Sequence, residues 1–466
     1  MPRTSFNIGI ICGKLGDVDG VSLEVDKWIN VLNELGHNVF TIAGSYPKKL
    51  ENVPEDRQLL LEQIKFNSEE QQYYENLVFP HLLKSPPYLT KGRRRQIVNG
   101  LENRGMQAAD LIYDYVQKND IDVLIAQNTN AMPMTLIGGM GVYSLVSKRR
   151  MAVIFHHHDF WWERSRFSNN RIETLLQKVM PPTLPGLEHV VLSSYAAHIL
   201  RSIKRVHPKV IPNCEDFDNP VTLDDYNRDF RKEMGFAEDD ILVVQPTRIV
   251  RRKRIEDSVE LIGKFVSKYP EFAKKVKFII SLYQGDEPDM NYIGQIRGMC
   301  DKRGIPMYLI SERVAAQRGL DEQGRKLYAN RDVLANADIV TYLPAWEGFG
   351  NALLEAIAAK IPVVVTTYLV YKTDIAPMRF KNIEVRDVYD ENGMLIIPER
   401  ALDEIHEILT NPQKRKEIAE WNFRIGKKEF GFQKLKDSLE ALIEDYGDEI
   451  RACRKRVAAS KLEYSV

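Results

Sequence analysis

Residues 6–43, FNIGIICGKLGDVDGVSLEVDKWINVLNELGHNVFTIA, hold the pattern that decides the fold class. Phe6–Ile11 predicts a buried strand because it is short, apolar and rich in isoleucine. Gly13–Gly20 is a loop that contains glycine, and Ser22–Leu35 has apolar residues three and four positions apart, which is typical of an amphipathic helix. A glycine ends that helix, and Asn38–Ala43 predicts the next strand. The stretch therefore predicts one parallel βαβ unit.

The same alternation of apolar runs and amphipathic stretches continues along the chain in two series. The first series predicts strands at Val123–Ala126, Ala152–Phe155 and Val190–Leu192. The second series predicts strands at Ile241–Gln245, Val276–Ser281, Met307–Ile310, Ile339–Leu343 and Pro362–Thr366. Alternation of this kind is typical of doubly wound parallel sheets. The predicted fold class is α/β, with two Rossmann-like domains in series.

The boundary between the two domains is predicted at KVIPNCEDFDNP, residues 209–220, where prolines, asparagines and acids cluster as in a linker. This boundary gives an N-terminal domain at 1–212 and a C-terminal domain at 213–432. The charged segment at about 51–118 predicts a helical insertion in the first domain. Residues 433–466 predict a long charged helix, either exposed on the surface or packed back on the N-terminal domain. Doubly wound sheets bind ligands at the carboxyl ends of their strands, so we expect the site in the cleft that the two domains face across.

Composition limits the classes of function. The chain has 466 residues, and its 65 acidic and 65 basic side chains balance, which gives no support to a nucleic-acid-binding role. Its four cysteines are far apart and lack the paired spacing of a zinc or redox motif. No apolar stretch approaches the roughly 18 residues that span a bilayer, and the start lacks the apolar region of a secretory signal. We predict a cytoplasmic protein without a transmembrane segment.

The segment AWEGFGNALLEAIAAKIPVVVT, residues 345–366, gives the strongest chemical signal. Glu347 lies in a loop after a strand, where two glycines let backbone amides approach an anion closely. Asn351 then opens a helix, and a helix N-terminus favours phosphate. Glu355 follows in an apolar setting, and a buried carboxylate needs a partner such as sugar hydroxyl groups or a cation. The alternative, a structural carboxylate beside ordinary turn glycines, stays open.

A second segment, QPTRIVRRKRIED at residues 245–257, places cations after the first strand of the C-terminal domain. Arg248 and Lys253 are both suited to a diphosphate, Arg248 through a bidentate fork and Lys253 as a point charge. We expect the other three arginines of this run to face solvent: Arg251, Arg252 and Arg254.

A third segment, IFHHHDFWWERSRF at residues 154–167, places three histidines at the end of a predicted strand. Adjacent histidines on an extended segment point to alternate faces and have no matching downstream ligands, so we predict no metal site. A histidine at the strand end that bonds a sugar hydroxyl is the favoured interpretation. Trp161 and Trp162 fit either a core edge or a surface that stacks on sugar.

Taken together, these segments resemble glycosyltransferase family 4, the retaining enzymes of the GT-B fold. The resemblance covers nearly the whole chain and includes the glycine loop after the first strand, the Arg-x4-Lys pair and the acid-x7-acid segment. It implies that the N-terminal domain takes the acceptor and that the C-terminal domain binds the donor nucleotide. It also implies same-face attack, in which the leaving phosphate oxygen takes the acceptor proton.

The resemblance assigns roles to individual residues. It implies that Arg248 and Lys253 bind the donor diphosphate, that Glu355 holds the ribose and that Glu347 binds hydroxyls of the transferred sugar. His158 matches the histidine that contacts the donor sugar, so the implied catalytic set is His158, Arg248, Lys253 and Glu347. The implied donor-binding set is Gly20, Arg248, Lys253, Glu347, Gly348, Phe349, Gly350, Asn351 and Glu355. The family often has two adjacent glycines in the first loop, but here Asp19 precedes Gly20.

A narrower resemblance links DGVSLEVDKW, HHHDFWWERSRF, VIPNCEDFDNP, QPTRIVRRK and EGFGNALLEA to the group of mannosylglucosylglycerate synthases. It implies transfer of mannose from GDP-mannose to glucosylglycerate, which makes a compatible solute. The acceptor carboxylate then needs a cation and its hydroxyls need polar ligands. Position alone offers Lys14, Asn128, Asn130, Arg164 and Arg166 for these contacts.

Other functions remain compatible with the same residues. They are a family 4 transferase with UDP- or ADP-glucose and another acceptor, a sugar-nucleotide epimerase, and a non-catalytic sugar-nucleotide-binding protein. In each case the sugar nucleotide is a co-substrate or ligand, and no tightly bound cofactor is expected. Mg²⁺ is compatible with the sequence, which does not imply it.

Overall fold

The computed structural model describes residues 5–17, 19–80, 88–282 and 290–463. The chain forms two compact units. Unit 1 comprises residues 1–212 and 435–466, and unit 2 comprises residues 213–434. Each unit is built on one parallel sheet, as the alternating pattern predicts.

The sheet of unit 1 has seven strands. They are β1 (Asn7–Cys12), β2 (Asn38–Ala43), β3 (Gln58–Leu60), β4 (Val123–Gln127), β5 (Val153–His157), β6 (Glu188–Val191) and β7 (Lys209–Val210). Their order across the sheet is β3-β2-β1-β4-β5-β6-β7, and all neighbours run parallel. The strand order therefore reverses between β1 and β4, which is where doubly wound sheets bind ligands.

In the described residues up to 212, seven helices accompany these strands. They are α1 (Gly20–Glu34), α2 (Glu69–Val78), α3 (Lys91–Lys118), α4 (Leu136–Lys148), α5 (Ser165–Ser168), α6 (Glu173–Val179) and α7 (Ser194–Lys204). The spacing of apolar residues in α1 buries one face of this helix, including Val25, Trp28 and Leu32. The segment at 51–118 differs from the predicted insertion, because it adds the edge strand β3 to the sheet and supplies α3 as the crossover helix that packs on α4.

The sheet of unit 2 has six strands. They are β8 (Ile241–Gln245), β9 (Val276–Ile280), β10 (Met307–Leu309), β13 (Ile339–Tyr342), β14 (Val363–Thr366) and β15 (Ile383–Val385), in the order β10-β9-β8-β13-β14-β15. A separate hairpin is formed by β11 (Gly319–Leu320) and β12 (Lys326–Leu327). All five strands predicted for the second series are present, so the predicted α/β class with two Rossmann-like sheets is confirmed.

The helices of unit 2 follow the same alternation. They are α8 (Phe230–Glu233), α9 (Ile255–Lys268), α10 (Met290–Arg303), α11 (Asn330–Ala335), α12 (Asn351–Ala358), α13 (Glu399–Thr410) and α14 (Pro412–Phe430). A buried apolar core packs α9, α10 and α13 against the sheet. Burial of these aliphatic and aromatic side chains fixes the strand ends from which the polar loops start.

The last described residues form two helices instead of the single long one predicted, α15 (Phe432–Asp445) and α16 (Gly447–Glu463). They pack on unit 1. The Tyr446 hydroxyl donates to the carbonyl of Gly186 at 2.7 Å, and the Arg454 guanidinium binds the buried Asp122 carboxylate at 2.6 Å. Cys453 is buried in the same interface. The polypeptide thus leaves unit 1, builds unit 2 and returns to complete unit 1.

Candidate active site

Two loops of unit 2 start side by side at the carboxyl edge of its sheet, the edge at which its parallel strands end. β8 and β13 are paired neighbours in that sheet. The loop after β8 makes a short 3-10 turn at Arg251–Lys253, and the loop after β13 contains Glu347. The backbone N–H of Ala345 donates to the carbonyl of Arg252 at 3.0 Å, which ties the two loops together.

Glu347 is the centre of a cation–carboxylate cluster, Arg252–Lys253–Glu347. The Glu347 side chain is only 9% exposed. Arg252 Nη1 donates to Glu347 Oε2 at 2.8 Å, and Lys253 Nζ binds the other oxygen, Oε1. The ammonium of Lys253 also lies 5.3 Å from the centroid of the Tyr342 ring. Each carboxylate oxygen is therefore held by a different cation, and the carboxylate has a fixed orientation.

The charges of the cluster are strongly coupled. Burial would raise the pKa of Glu347, but the charges of Arg252 and Lys253 outweigh burial and lower this pKa to about 2. Burial lowers the pKa of Lys253 to about 8; Glu347 opposes this shift, and the charges of Arg252 and Arg248 add to it. Glu347 is thus an anion at neutral pH. Lys253 is a cation at neutral pH, and it loses its proton at a pH just above neutral.

The structure brings Arg248 and Lys253, the predicted pair of cations, close together. The prediction that the three neighbouring arginines face solvent is only partly right. Arg248 is half-buried and near enough to Lys253 for its charge to act there. Arg251 is exposed, as predicted. The prediction was wrong for Arg252, which binds Glu347, and for Arg254, which pairs with Asp257 at 2.7 Å. Sequence reasoning missed both because the 3-10 turn points adjacent side chains in different directions.

The glycine loop leads into α12 with a conformation that only glycine adopts easily. Gly350 has φ = 133°, and a Cβ atom there would lie 2.3 Å from the Tyr368 hydroxyl. That hydroxyl donates to the carbonyl of Phe349 at 2.6 Å and so fixes the loop. Within the described residues no side chain caps the start of α12. The first amides of this helix are therefore placed as an anion-binding terminus requires.

Glu355 lies on α12 and is half-buried, less enclosed than the sequence predicts. Its Oε2 accepts a hydrogen bond from Asn330 Nδ2 at 2.9 Å. Asn330 is held in turn by Ser281, whose hydroxyl donates to Asn330 Oδ1 at 2.7 Å. This chain of hydrogen bonds orients the Glu355 carboxylate. Sequence reasoning missed Asn330 because no local pattern links it to a carboxylate on the other side of a strand.

In unit 1, His158 follows the end of β5, beside the end of β4. Its Nε2 lies 3.1 Å from Gln127 Oε1, and its backbone N–H donates to Asn128 Oδ1 at 3.1 Å. Loss of water around the ring lowers the pKa of His158 to about 4, although Asp159 and Asp19 oppose this shift. His158 is therefore neutral at physiological pH, with its ring placed by β4.

The other two histidines of the run have internal partners. His156 stacks on Trp28 with ring centroids 4.3 Å apart, and His157 Nε2 meets His189 Nδ1 at 3.0 Å. Burial lowers the pKa of both His156 and His157 well below its usual value. Across the described ranges, no group of three histidine, cysteine, aspartate or glutamate side chains is arranged to hold a metal ion.

The start of α1 is closed by a side chain. Asp19 Oδ1 accepts hydrogen bonds from the backbone N–H groups of Val21 and Ser22 at 3.0 and 3.2 Å, and Asp19 Oδ2 lies 3.2 Å from Lys14 Nζ. Gly20 is the first, exposed residue of the helix. The residue that replaces the expected first glycine is thus the N-cap of α1, and its carboxylate occupies amides that would otherwise face an anion.

The acceptor-side candidates differ in how they are bonded. Asn128 donates to Asp159 at 3.0 Å, and Arg164 Nε donates to the same carboxylate at 2.8 Å. Arg166 pairs at 2.8 Å with Glu75, which is 3% exposed. Asn128 and Arg164 therefore share a partner at one place, whereas Arg166 serves a buried carboxylate elsewhere.

Asn130 requires a correction. It is 1% exposed, and its Nδ2 donates to the carbonyls of Gly139 and Val179 at 2.9 and 3.0 Å. These bonds join two chain segments, so the structure gives this amide a structural role and removes it from the acceptor candidates. Trp161 likewise belongs to the core, where its indole N–H donates to Met180, while Trp162 is half-buried and stacks on Phe160 at 4.6 Å.

Comparisons with known proteins decide the family. The family model described as glycosyl transferases group 1 matches residues 323–422, which include the glycine loop and both acids. Over 449 residues the chain is 31% identical to the mannosylglucosylglycerate synthase of Thermotoga maritima, covering 93% of this chain and 99% of that protein. The chain belongs to the group 1 glycosyltransferases. The predicted likeness to the mannosylglucosylglycerate synthases is confirmed as well.

Solved structures agree on the fold of this glycosyltransferase. The sucrose-phosphate synthase of Thermosynechococcus elongatus has a TM-score of 0.63 at 13% identity, covering 94% of this chain and 98% of that one. HepE of Anabaena, solved with UDP and glucose, has a TM-score of 0.60 at 14% identity, covering 94% and 100%. The glycosyltransferase therefore has the GT-B fold. In the parts of the chain that the structure describes, no helix is both long and apolar enough to cross a bilayer.

Proposed function

We propose that this glycosyltransferase moves mannose from GDP-mannose to glucosylglycerate with retention of configuration. The observation that carries the proposal is the Arg252–Lys253–Glu347 cluster, which sets fixed cations beside an ionised carboxylate at the end of β8 and β13. The relative from Thermotoga maritima is named mannosylglucosylglycerate synthase, and this name supports the choice of mannose as the transferred sugar and of glucosylglycerate as the acceptor. The name of this relative and the geometry of the cluster both support sugar transfer from a nucleotide donor.

Unit 2 is proposed as the donor-binding unit. Lys253 has three N–H donors, so it is able to keep Glu347 and still bind a phosphate oxygen. Arg248 adds a second cation near Lys253. Charge develops on the diphosphate as the bond to the sugar breaks, and preorganised cations stabilise that charge without further rearrangement. This electrostatic effect is the main source of catalysis that the geometry supports.

The two acids of unit 2 are proposed as ligands of hydroxyl groups. Glu347 would accept from hydroxyls of the transferred sugar, because its carboxylate is ionised and fixed. Glu355 would accept from the ribose, in the orientation that Asn330 gives it. The backbone amides of Gly348, Phe349, Gly350 and Asn351 would reach the sugar and the phosphate from the glycine loop. Ionised carboxylates bind hydroxyls through strong charge-assisted hydrogen bonds.

Unit 1 is proposed to bind the acceptor. Arg164 is 41% exposed beside Asp159, so it is accessible to a carboxylate of the acceptor. Asn128 donates to the same Asp159 carboxylate and would contact acceptor hydroxyls. Lys14, which pairs with Asp19 at the start of α1, is a further candidate. His158, neutral and placed by Gln127, would contact the donor sugar. Gly20 is proposed to contribute little to donor binding, because the Asp19 carboxylate already caps α1 at this place.

The proposed step balances without a resident cofactor. The bond between the anomeric carbon and the diphosphate oxygen breaks, and the acceptor oxygen bonds to the same face of that carbon. The acceptor hydroxyl proton passes to the departing phosphate oxygen, so no side chain has to act as general base. All four cysteines are buried and outside any disulfide, which fits the reduced cytoplasm, where we place the reaction.

The test is a transfer assay read by mass spectrometry. Purified protein is incubated with GDP-mannose, UDP-glucose or ADP-glucose, each with and without glucosylglycerate, and with and without a chelator of Mg²⁺. We expect glucosylglycerate to gain one hexose from GDP-mannose only. Proton NMR of the new anomeric centre should give the α configuration of the donor.

Other products would identify a different function. Hexose transfer from UDP-glucose or ADP-glucose alone would replace the donor, and a β linkage would overturn retention. Epimerised sugar nucleotide without acceptor would indicate an epimerase. Calorimetric binding of a sugar nucleotide without turnover would indicate a binding protein.

A further inference from the structure

We propose that Arg252 is a positioning residue of the donor site, which holds Glu347 in place and turns a neutral lysine–glutamate pair into a cluster with net positive charge. The inference rests on the proposed function, since it assigns a role in donor binding. Arg252 stands next to Lys253 in sequence, and the family resemblance assigns no role to it.

The geometry gives Arg252 two separate links to the Glu347 loop. Its guanidinium donates to Glu347 Oε2 at 2.8 Å, and its backbone carbonyl accepts from Ala345 at 3.0 Å. The first link fixes the carboxylate, and the second fixes the main chain two residues before it. Arg252 therefore sets the position of Glu347 independently of Lys253.

This independence matters when a diphosphate binds. With Lys253 as its sole cation, Glu347 would compete with the phosphate for one ammonium group. Arg252 keeps its hold on Oε2, so Glu347 stays ionised and oriented while Lys253 turns part of its donors to the phosphate. Removing one partner from a buried carboxylate otherwise leaves charge without compensation, which is costly.

The charge balance leads to the same conclusion. Lys253 and Glu347 alone sum to zero and would attract a diphosphate only weakly. Arg252 adds one positive charge to the pair, and its side chain is 32% exposed beside the enclosed carboxylate. Charge–charge attraction is strong at low effective dielectric, so an added cation at this depth favours an anionic ligand more than one on the open surface.

Arg252 also acts on the titration of Lys253. Among the described residues, the groups that act on the Lys253 ammonium include the Glu347 carboxylate, the Arg252 and Arg248 cations and the Tyr342 ring. Burial and the two arginines keep the pKa of Lys253 at about 8. Removing the positive charge of Arg252 raises this pKa, so protonated Lys253 persists to higher pH. The pH dependence of donor kinetics therefore reports the charge of Arg252 at the Lys253 ammonium.

The experiment compares three variants by donor kinetics from pH 6 to 10, a range that brackets the Lys253 pKa of about 8. Arg252→Gln removes the charge, Arg252→Lys keeps it, and Arg251→Gln removes an exposed arginine one residue away. We expect Arg252→Gln to lower kcat/KM for GDP-mannose at least about tenfold at neutral pH, chiefly through KM, as loss of a charged hydrogen bond does. The alkaline limb of its kcat/KM profile should move to higher pH.

The controls separate the inference from folding and from the proposed function. Arg252→Lys should keep the alkaline limb in place, and Arg251→Gln should match the wild type in both readouts. A loss of folded protein that is independent of pH lowers the whole profile without moving its limb, and unfolding at alkaline pH would move the limb to lower pH, so neither imitates the expected shift. An Arg252→Gln profile equal to that of Arg251→Gln would overturn the inference alone. A wild-type protein that neither binds nor turns over any sugar nucleotide would overturn the proposed function, and the inference with it.

Discussion

The starts of α1 and α12 occupy comparable places, each following a central strand of its sheet. In unit 1 the Asp19 carboxylate caps α1 and meets Lys14. In unit 2 α12 begins after Gly350, and within the described residues no side chain caps it. The amides at the start of α1 are thus bonded to a carboxylate of the protein, and within the described residues no side chain caps those at the start of α12. The difference teaches that an external phosphate is better accommodated at α12 than at α1.

The charges around the two termini follow the same division. On the unit 1 side, Lys14 meets Asp17 and Asp19, and Arg164 meets Asp159. In the unit 2 cluster, two cations share one carboxylate. The unit 1 groups sum to one negative charge and leave no surplus cation, whereas the surplus positive charge of the unit 2 cluster suits a diphosphate. Four substitutions test this contrast, taken from the largest expected effect to the smallest.

Replacing Lys253 by alanine should cause the largest loss. It removes a fixed cation from the leaving group and leaves Glu347 with Arg252, so kcat/KM should fall about 10²–10³-fold, as for loss of one donor to developing charge. Steady-state kinetics with the preferred donor measure it. The matched control is Lys268→Ala on the exposed side of α9, where Lys268 pairs with Glu399 and Asp403. Wild-type transfer by Lys253→Ala would contradict the placement of the donor in unit 2.

Gly350→Ala should come next. The new Cβ meets the Tyr368 hydroxyl, and the φ of 133° is unfavourable for alanine, so we expect a stability loss of about 2 kcal/mol or more together with weaker donor binding. Chemical denaturation and calorimetry with GDP measure the two effects. Gly304→Ala is the control, because its φ is 63° with no atom within 4 Å of the new Cβ. Equal effects in both variants would show that backbone strain alone matters and that the loop shape does not.

Arg164→Gln should affect the acceptor and spare the donor. Its loss removes the proposed partner of the acceptor carboxylate, so KM for glucosylglycerate should rise about tenfold, while KM for the neutral analogue glucosylglycerol changes less. The control is Arg201→Gln on the exposed face of α7. An equal rise in KM for both acceptors would assign Arg164 to the support of Asp159 and not to the carboxylate.

Asp19→Ala should have the smallest effect, and on stability alone. Loss of an N-cap side chain costs about 1 kcal/mol, and Asp19→Asn should restore most of it because asparagine also caps helices well. Thermal unfolding measures the change, and KM for the donor should stay within twofold of wild type. A donor KM that instead rises strongly in both variants would mean that α1 takes part in phosphate binding, and the contrast with α12 would fail.

The sequence predicts most of the fold because strands and amphipathic helices are encoded locally. The five strands of the second series and the first βαβ unit follow from periodicity alone. β3, β7 and β15 escaped prediction because two or three residues are too few for a period to register, whereas the equally short β10 lies in the apolar run Met307–Ile310. A capping role for Asp19 was within reach, since aspartate before a helix is a strong N-cap signal.

The candidate site was predictable only where spacing carries the information. Arg248, Lys253 and Glu347 were singled out by motif, and the structure gathers them within unit 2. Arg252 was not, because the 3-10 turn at Arg251–Lys253 points adjacent side chains in different directions, which a linear motif does not record. Asn330 was not, because its bond to Glu355 depends on how α11 and α12, which are separated in the chain by β13, pack beside each other.

The return of α15 and α16 to unit 1 has a consequence for biosynthesis. Asp122 and Gly186 leave the ribosome long before Arg454 and Tyr446, the partners they bind in the folded chain. The surface of unit 1 that α15 and α16 cover in the folded protein therefore stays exposed while unit 2 is translated and folds. Nascent chains arrested before residue 435 should expose that surface to chaperones, and release of the full chain should remove it.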